Sequence, residues 1–150
     1  MSPTPQMRPA GLDDLEALTE LCLRSKAHWG YDAAFIAACR DDLTLHPADL
    51  TRGEVWMRDG PVAVVQILPG DPAGEIRHLF LDPSLIGQGV GRVIWDFACT
   101  RARAMGCSKV TLSSEPKAAG FYEAMGGRHI GFEHSTIFPG RKLPRYEIDL

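Results

Sequence analysis

A short apolar run, Leu79-Phe80-Leu81, stops at Asp82-Pro83, and a loop follows with glycine at positions 87, 89 and 91 before an amphipathic stretch begins. Proline fixes its own φ and cannot donate to a sheet ladder, so a strand must end there. Glycine adopts backbone conformations that other residues avoid and lets a ligand come close to the main chain. The first N–H groups of a helix lack internal partners, and the helix dipole favours negative charge at that end. Strand, glycine turn and helix in this order present bare N–H groups to an anion, the arrangement of a phosphate or pyrophosphate cradle. Two other glycine motifs fit less well. In a G-x-G-x-x-G fingerprint the third glycine comes one residue later than Gly91, and a triphosphatase loop needs Gly-Lys before Ser or Thr, which Arg92 does not supply. The plain alternative is a flexible loop punctuated by glycine.

Leu79 to Arg92 resembles the acetyl-CoA motif of the GNAT N-acetyltransferase superfamily, apolar-x-apolar-x-Pro followed by Arg/Gln-x-x-Gly-x-Gly/Ala. Leu79, Leu81, Pro83, Gly89 and Gly91 match, Gly87 and Gln88 take common forms, and Ile86 stands where Arg or Gln is usual. Downstream, Ala118-Ala119-Gly120-Phe121-Tyr122-Glu123-Ala124-Met125-Gly126 resembles the family's A-x-x-F-Y-E-x-x-G segment. The resemblance implies one α/β domain over residues 1–150, of mixed α+β character. Its mostly antiparallel sheet would have six to seven strands with a V-shaped splay, flanked by about four helices. It further implies acetyl-CoA as the donor, held by Leu79, Phe80, Leu81, Ile86, Gly87, Gln88, Gly89, Val90, Gly91 and Arg92. Many members carry asparagine just before the second motif. Here the residues are Ser113-Ser114-Glu115, and Ser114 is the expected contact to the pantetheine arm. Homodimers are common in the family, so one is allowed here.

A chain of 150 residues has enough apolar residues, 45%, for one core without disulfide support. The net charge of −3 gives no electrostatic case for nucleic-acid or anionic-membrane binding, and mildly favours a cationic acceptor. Cys22, Cys39, Cys99 and Cys107 show neither a C-x-x-C pair nor a paired metal spacing, so buried reduced thiols and no metal are expected. Met1 to Met7 lacks an apolar signal region and no run suits a membrane span, which points to the cytoplasm.

Periodicity predicts a strand near Gln6–Arg8, helices over 13–28 and 32–41, and strands over 54–57 and 62–68 joined at Asp59-Gly60. A strand follows over 75–81, then a helix from the glycine loop to about Met105 with Val90, Val93, Ile94, Phe97 and Ala98 on its buried face. Residues 109–113 read as a strand, 116–125 as a helix, and 128–134 and 145–149 as the last strands.

Acetyl transfer to an amine needs a proton acceptor, because an ammonium has no lone pair. It also needs a donor for the developing oxyanion and an acid for the leaving thiolate. Glu75 holds the position of the glutamate base in histone-type members of the family and is the first candidate, acting directly or through water. A solvated strand-end carboxylate beside Arg77 is the alternative. His78 is the second candidate base, although alternation places it on the opposite face from Glu75 unless a bulge intervenes. The resemblance puts the oxyanion donor among the strand amides near Leu79 to Leu81, freed by a bulge there. Tyr122 is the candidate acid, with Phe121 as its packing neighbour. His28, Trp29 and Tyr31, together with His78, are candidate contacts for a small-molecule or peptide amine, and a cation could sit over Trp29 or Tyr31. The leading expectation is an acetyl-CoA-dependent N-acetyltransferase working by direct transfer, since neither motif contains cysteine. A non-catalytic acyl-CoA sensor is the alternative.

Overall fold

A computed structural model describes residues 6–150, so most of the N-terminal segment bearing on a signal peptide lies outside the described residues. Seven strands form one sheet in the order β1-β2-β3-β4-β5-β7-β6. They are β1 (Arg8–Pro9), β2 (Glu54–Arg58), β3 (Ala63–Leu68), β4 (Ala73–Leu81), β5 (Lys109–Ser113), β6 (Arg128–His134) and β7 (Lys142–Asp149). Four α-helices flank it: α1 (Leu15–Ala27), α2 (Ala33–Leu43), α3 (Val90–Ala104) and α4 (Ala119–Ala124). Helix α1 starts later than its pattern predicts. The Asp14 carboxylate accepts the Gly11 N–H at 2.8 Å and holds residues 12–14 in a 3-10 turn. The Asp32 side chain caps α2 by accepting the Phe35 N–H at 2.8 Å.

Every strand pair is antiparallel except β4 with β5. That parallel pair holds at Ala73 with Lys109, Gly74 with Val110 and Glu75 with Thr111, and goes no further. Strand β4 continues to Leu81 and β5 to Ser113, so the two diverge into the expected V. At the foot of the V a Cβ on Gly74 would lie 2.8 Å from the Leu68 carbonyl oxygen and 2.9 Å from the Cys107 sulfur, so only glycine fits. Beyond Glu75, the β5-facing edge of β4 has lost its strand partner, and backbone groups left so must find another.

Apolar residues bury on both faces. On one, Ile94, Trp95, Ala98 and Ala102 of α3 pack on Val65, Ile67, Ile76, Val110 and Leu112. On the other, Leu18, Leu21 and Cys22 of α1 pack on Val55, Met57 and Val64. The buried face of α3 differs from its predicted stripe. Trp95 is 3% exposed and Val93 38%, because the sheet-facing row runs through 94, 95, 98, 99 and 102 and leaves Val93 outside.

A β-bulge interrupts β4. Gln66 pairs with His78 and Ile67 with Ile76, which leaves Arg77 without a cross-strand partner. The bulge lies upstream of the expected stretch, for Leu79, Phe80 and Leu81 pair without a break to Val65, Val64 and Ala63. The extra residue returns His78 to the same face as Glu75.

Candidate active site

A cleft of about 850 Å³ fills the V. One end is the glycine loop. Gly87 and Gly89 take φ of +84° and +80°, conformations that L side chains resist, and Gly89 is the N-cap of α3. The first helical bond runs from the Val93 N–H to the Gly89 carbonyl, at 3.4 Å, so the N–H groups of residues 90–92 precede any internal partner. A Cβ on Gly91 would lie 3.4 Å from Phe121 and 3.5 Å from Leu81, ordinary contact distances that leave no room for a longer side chain. Asp82 braces the approach by accepting the Ser84 N–H at 3.0 Å and its hydroxyl at 2.7 Å. Leu79, Phe80, Leu81, Ile86, Gly87, Gly89, Gly91 and Arg92 line the cleft. Gln88 and Val90 do not. The Gln88 side chain turns away and donates to the Ser84 carbonyl at 2.8 Å.

Tyr122 lines the opposite wall, its ring packed between Trp95 and Tyr146. Its hydroxyl has no hydrogen-bond partner among the described residues, and burial pushes its pKa upward, so it keeps its proton. Ser114 reaches the cleft wall but is 1% exposed. Its hydroxyl is used internally, donating to the Glu115 carbonyl at 2.7 Å.

Glu75 meets the cleft at the last β4–β5 rung. It is no free carboxylate. Arg145 donates to both of its oxygens, at 2.8 and 3.1 Å, and the Thr111 hydroxyl donates at 2.6 Å. Arg145 also donates to the Ser113 hydroxyl at 2.8 Å, and that hydroxyl donates to Glu133. Arg145, Thr111 and Ser113 were not singled out by sequence reasoning. A signal existed: on β5 and β7 they form the polar row alternating with Val110, Leu112, Tyr146 and Ile148, a polar face in mid-sheet with no motif to draw notice.

His78 lines the cleft yet is 2% exposed, with one ring nitrogen hydrogen-bonded. The Asp49 carboxylate can only accept, so Gln66 turns its NH₂ toward it at 3.1 Å and its carbonyl toward His78 Nδ1 at 3.0 Å. That places the ring proton on Nδ1; Nε2 lies 3.3 Å from the Leu43 carbonyl, an acceptor that it could bond only in the protonated ring. Burial, followed by the nearby Arg77 charge, lowers the imidazole pKa to about 4, so the ring is neutral and structural rather than a poised base. Of the other expected acceptor contacts, Trp29 lines the cleft and His28 and Tyr31 do not. Tyr31 instead stacks on Phe35, donates to Glu115 and accepts from Arg141.

The profile of the acetyltransferase (GNAT) family matches residues 14–127, which include both motifs. The chain belongs to the acetyltransferase (GNAT) family. Its fold is that of a GCN5-related N-acetyltransferase from Rhodopseudomonas palustris, with a TM-score of 0.80 at 22% identity over 100% of this chain and 98% of that one. PaiA N-acetyltransferase from Thermoplasma acidophilum, solved with coenzyme A, superposes with a TM-score of 0.68 at 16% identity over 96% and 98%. A glucosamine 6-phosphate N-acetyltransferase of Trypanosoma brucei brucei is 39% identical over 59 residues. That match spans 39% of this chain and 40% of the trypanosome protein. Acetyl-CoA is the family's donor, and the acetyltransferase's cleft suits it: free N–H groups at the α3 start for the pyrophosphate, and an unpaired β4 edge for the amide-bearing pantetheine arm. No helix among the described residues is long and apolar enough to cross a membrane.

Proposed function

We propose that this acetyltransferase moves the acetyl group of acetyl-CoA directly to the primary amine of a small molecule or peptide, within a ternary complex. The observation that carries this reading is the convergence on one cleft of the α3 N–H groups, the unpaired β4 edge and Tyr122. Bound acetyl-CoA supplies an activated thioester. The backbone of residues 87–92 holds its pyrophosphate. Amides on the open edge of β4 donate to the pantetheine arm and to the oxygen where negative charge develops. The Tyr122 phenol, kept protonated by burial, donates to the departing sulfur. Glu75 accepts the amine's proton through a water, because Arg145 and Thr111 already occupy its oxygens. No cysteine lines the cleft, which supports direct transfer over an acyl-enzyme. Four buried, unpaired thiols support a reducing, cytoplasmic setting.

The test is calorimetry with acetyl-CoA followed by thiol release over a panel of amines, glucosamine 6-phosphate included, on wild type and Tyr122→Phe. The expected result is binding, release with at least one amine, and a kcat lower by about 100-fold in the variant with donor affinity preserved. Binding without release from any amine would favour a sensor module. An unchanged kcat in Tyr122→Phe at every pH would remove the acid role.

A further inference from the structure

The two sides of the cleft carry opposite charge. At the foot of the V, Arg145 is shared between Glu75 and, through the Ser113 hydroxyl, Glu133, so two carboxylates face one guanidinium. Across the cleft the balance reverses. Three cations surround the Tyr31 ring: Lys117 Nζ at 4.9 Å from its centre, the Arg141 guanidinium carbon at 5.1 Å and Lys26 Nζ at 5.8 Å. A single carboxylate answers them. Glu115 pairs with Arg141 at 3.2 Å and with Lys26 at 3.5 Å, and these three side chains are only 13–19% exposed. Lys117 has no carboxylate partner among the described residues. Its ammonium donates to the Trp29 carbonyl at 2.7 Å and lines the cleft. Counting Asp42, exposed at the end of α2, this cluster still holds one cation in excess, because Arg141, behind the cleft lining, takes up part of the Glu115 charge. Lys117 is exposed and its ammonium answers to no carboxylate among the described residues, so it is open to an anionic group that enters the cleft.

We infer that the acceptor is an amine that itself carries an anionic group, a carboxylate or a phosphate, which Lys117 and Lys26 receive while the amine lies toward Glu75 and Glu133. The inference rests on the acetyltransferase reading and names its acceptor class. The net charge of −3 predicts the opposite preference, but it averages over the whole surface, whereas the acceptor meets one wall.

The test compares, by thiol release, pairs matched in skeleton but differing in charge: phosphoethanolamine and β-alanine against ethanolamine and propylamine, glucosamine 6-phosphate against glucosamine, and putrescine as the cation. The phosphate and carboxylate arms tell which anion is meant. The expected kcat/KM is at least about 10-fold higher for the anionic member of a pair. In Lys117→Gln, an exposed position that leaves folding intact, that advantage shrinks through acceptor KM with KM for acetyl-CoA unchanged. Lys26→Met lowers it similarly. Neutral or cationic amines reacting as well as anionic ones would overturn the inference and leave acetyl transfer standing. A rise in KM for acetyl-CoA alone in Lys117→Gln would assign that lysine to the donor's phosphates and overturn it as well. Release from no amine despite bound acetyl-CoA would remove the amine-acetylation reading itself, and the anion site with it.

Discussion

A buried imidazole at position 78 couples the stability of this acetyltransferase to pH. His78 has its pKa lowered to about 4 in the fold, against about 6.5 in the unfolded chain. Between these values the unfolded state binds the extra proton, so folding loses stability as pH falls. The contribution is complete above the unfolded value and fades as pH drops toward the folded one. Its size is on the order of 3 kcal/mol. Urea unfolding at pH 7.5 and pH 5 should show about 2 kcal/mol of this loss in wild type and less in His78→Gln. An equal loss in both would assign it to other groups. Nothing in the residues near 78 announced that role. Gln66 and Asp49, which fix the ring's tautomer, lie 12 and 29 positions upstream. The register of β3 on β4 brings Gln66 to it, and the 3-10 turn at Pro47–Leu50 sets Asp49 against Gln66.

Among the elements, the start of α3 matters most. At Gly91 a Cβ would already stand at ordinary contact distance from Phe121 and Leu81. A leucine there must push the first turn away from β4. Gly91→Leu should therefore weaken acetyl-CoA binding by about 10-fold or more in calorimetry and lower stability by about 1–3 kcal/mol, the usual range for overpacking. Unchanged affinity would mean that the helix start does not hold the donor. This element was legible in the sequence because proline, glycines and an amphipathic stretch are all local signals. The splay was expected only by resemblance, since it depends on how far β4 and β5 pair. The bulge at Arg77 was misplaced for the same reason: a bulge is a relation between two strands, and alternation along one strand does not reveal which residue lacks a partner. The charged cluster around Trp29 and Tyr31 was the least legible part. Its aromatics were noticed at Trp29 and Tyr31, but the charge pattern around them joins α1, the turn before α4 and the β6–β7 connection.

For the molecule as a whole, the four thiols offer a direct check on packing. Cys22, Cys39, Cys99 and Cys107 are at most 6% exposed. Burial pushes the Cys99 thiol up to about 11 and moves Cys22 and Cys39 upward as well. At pH 8 almost none of these exists as the reactive thiolate. An aromatic disulfide reagent should titrate essentially no protein thiol in the native state and all four after denaturation. Rapid native reaction would contradict the packing of both cores. The same property keeps the protein's own sulfur out of any thiol-release measurement.

The three backbone rungs at the foot of the V are the only ones joining β1–β4 to β5–β7 among the described residues. Above them, the two half-sheets meet through side chains of α3 laid across β3, β4 and β5. The ligand cleft thus opens at the mechanically thinnest part of the sheet. An acyl donor seated there works as a keystone, carrying load between two half-sheets that the backbone leaves unbridged.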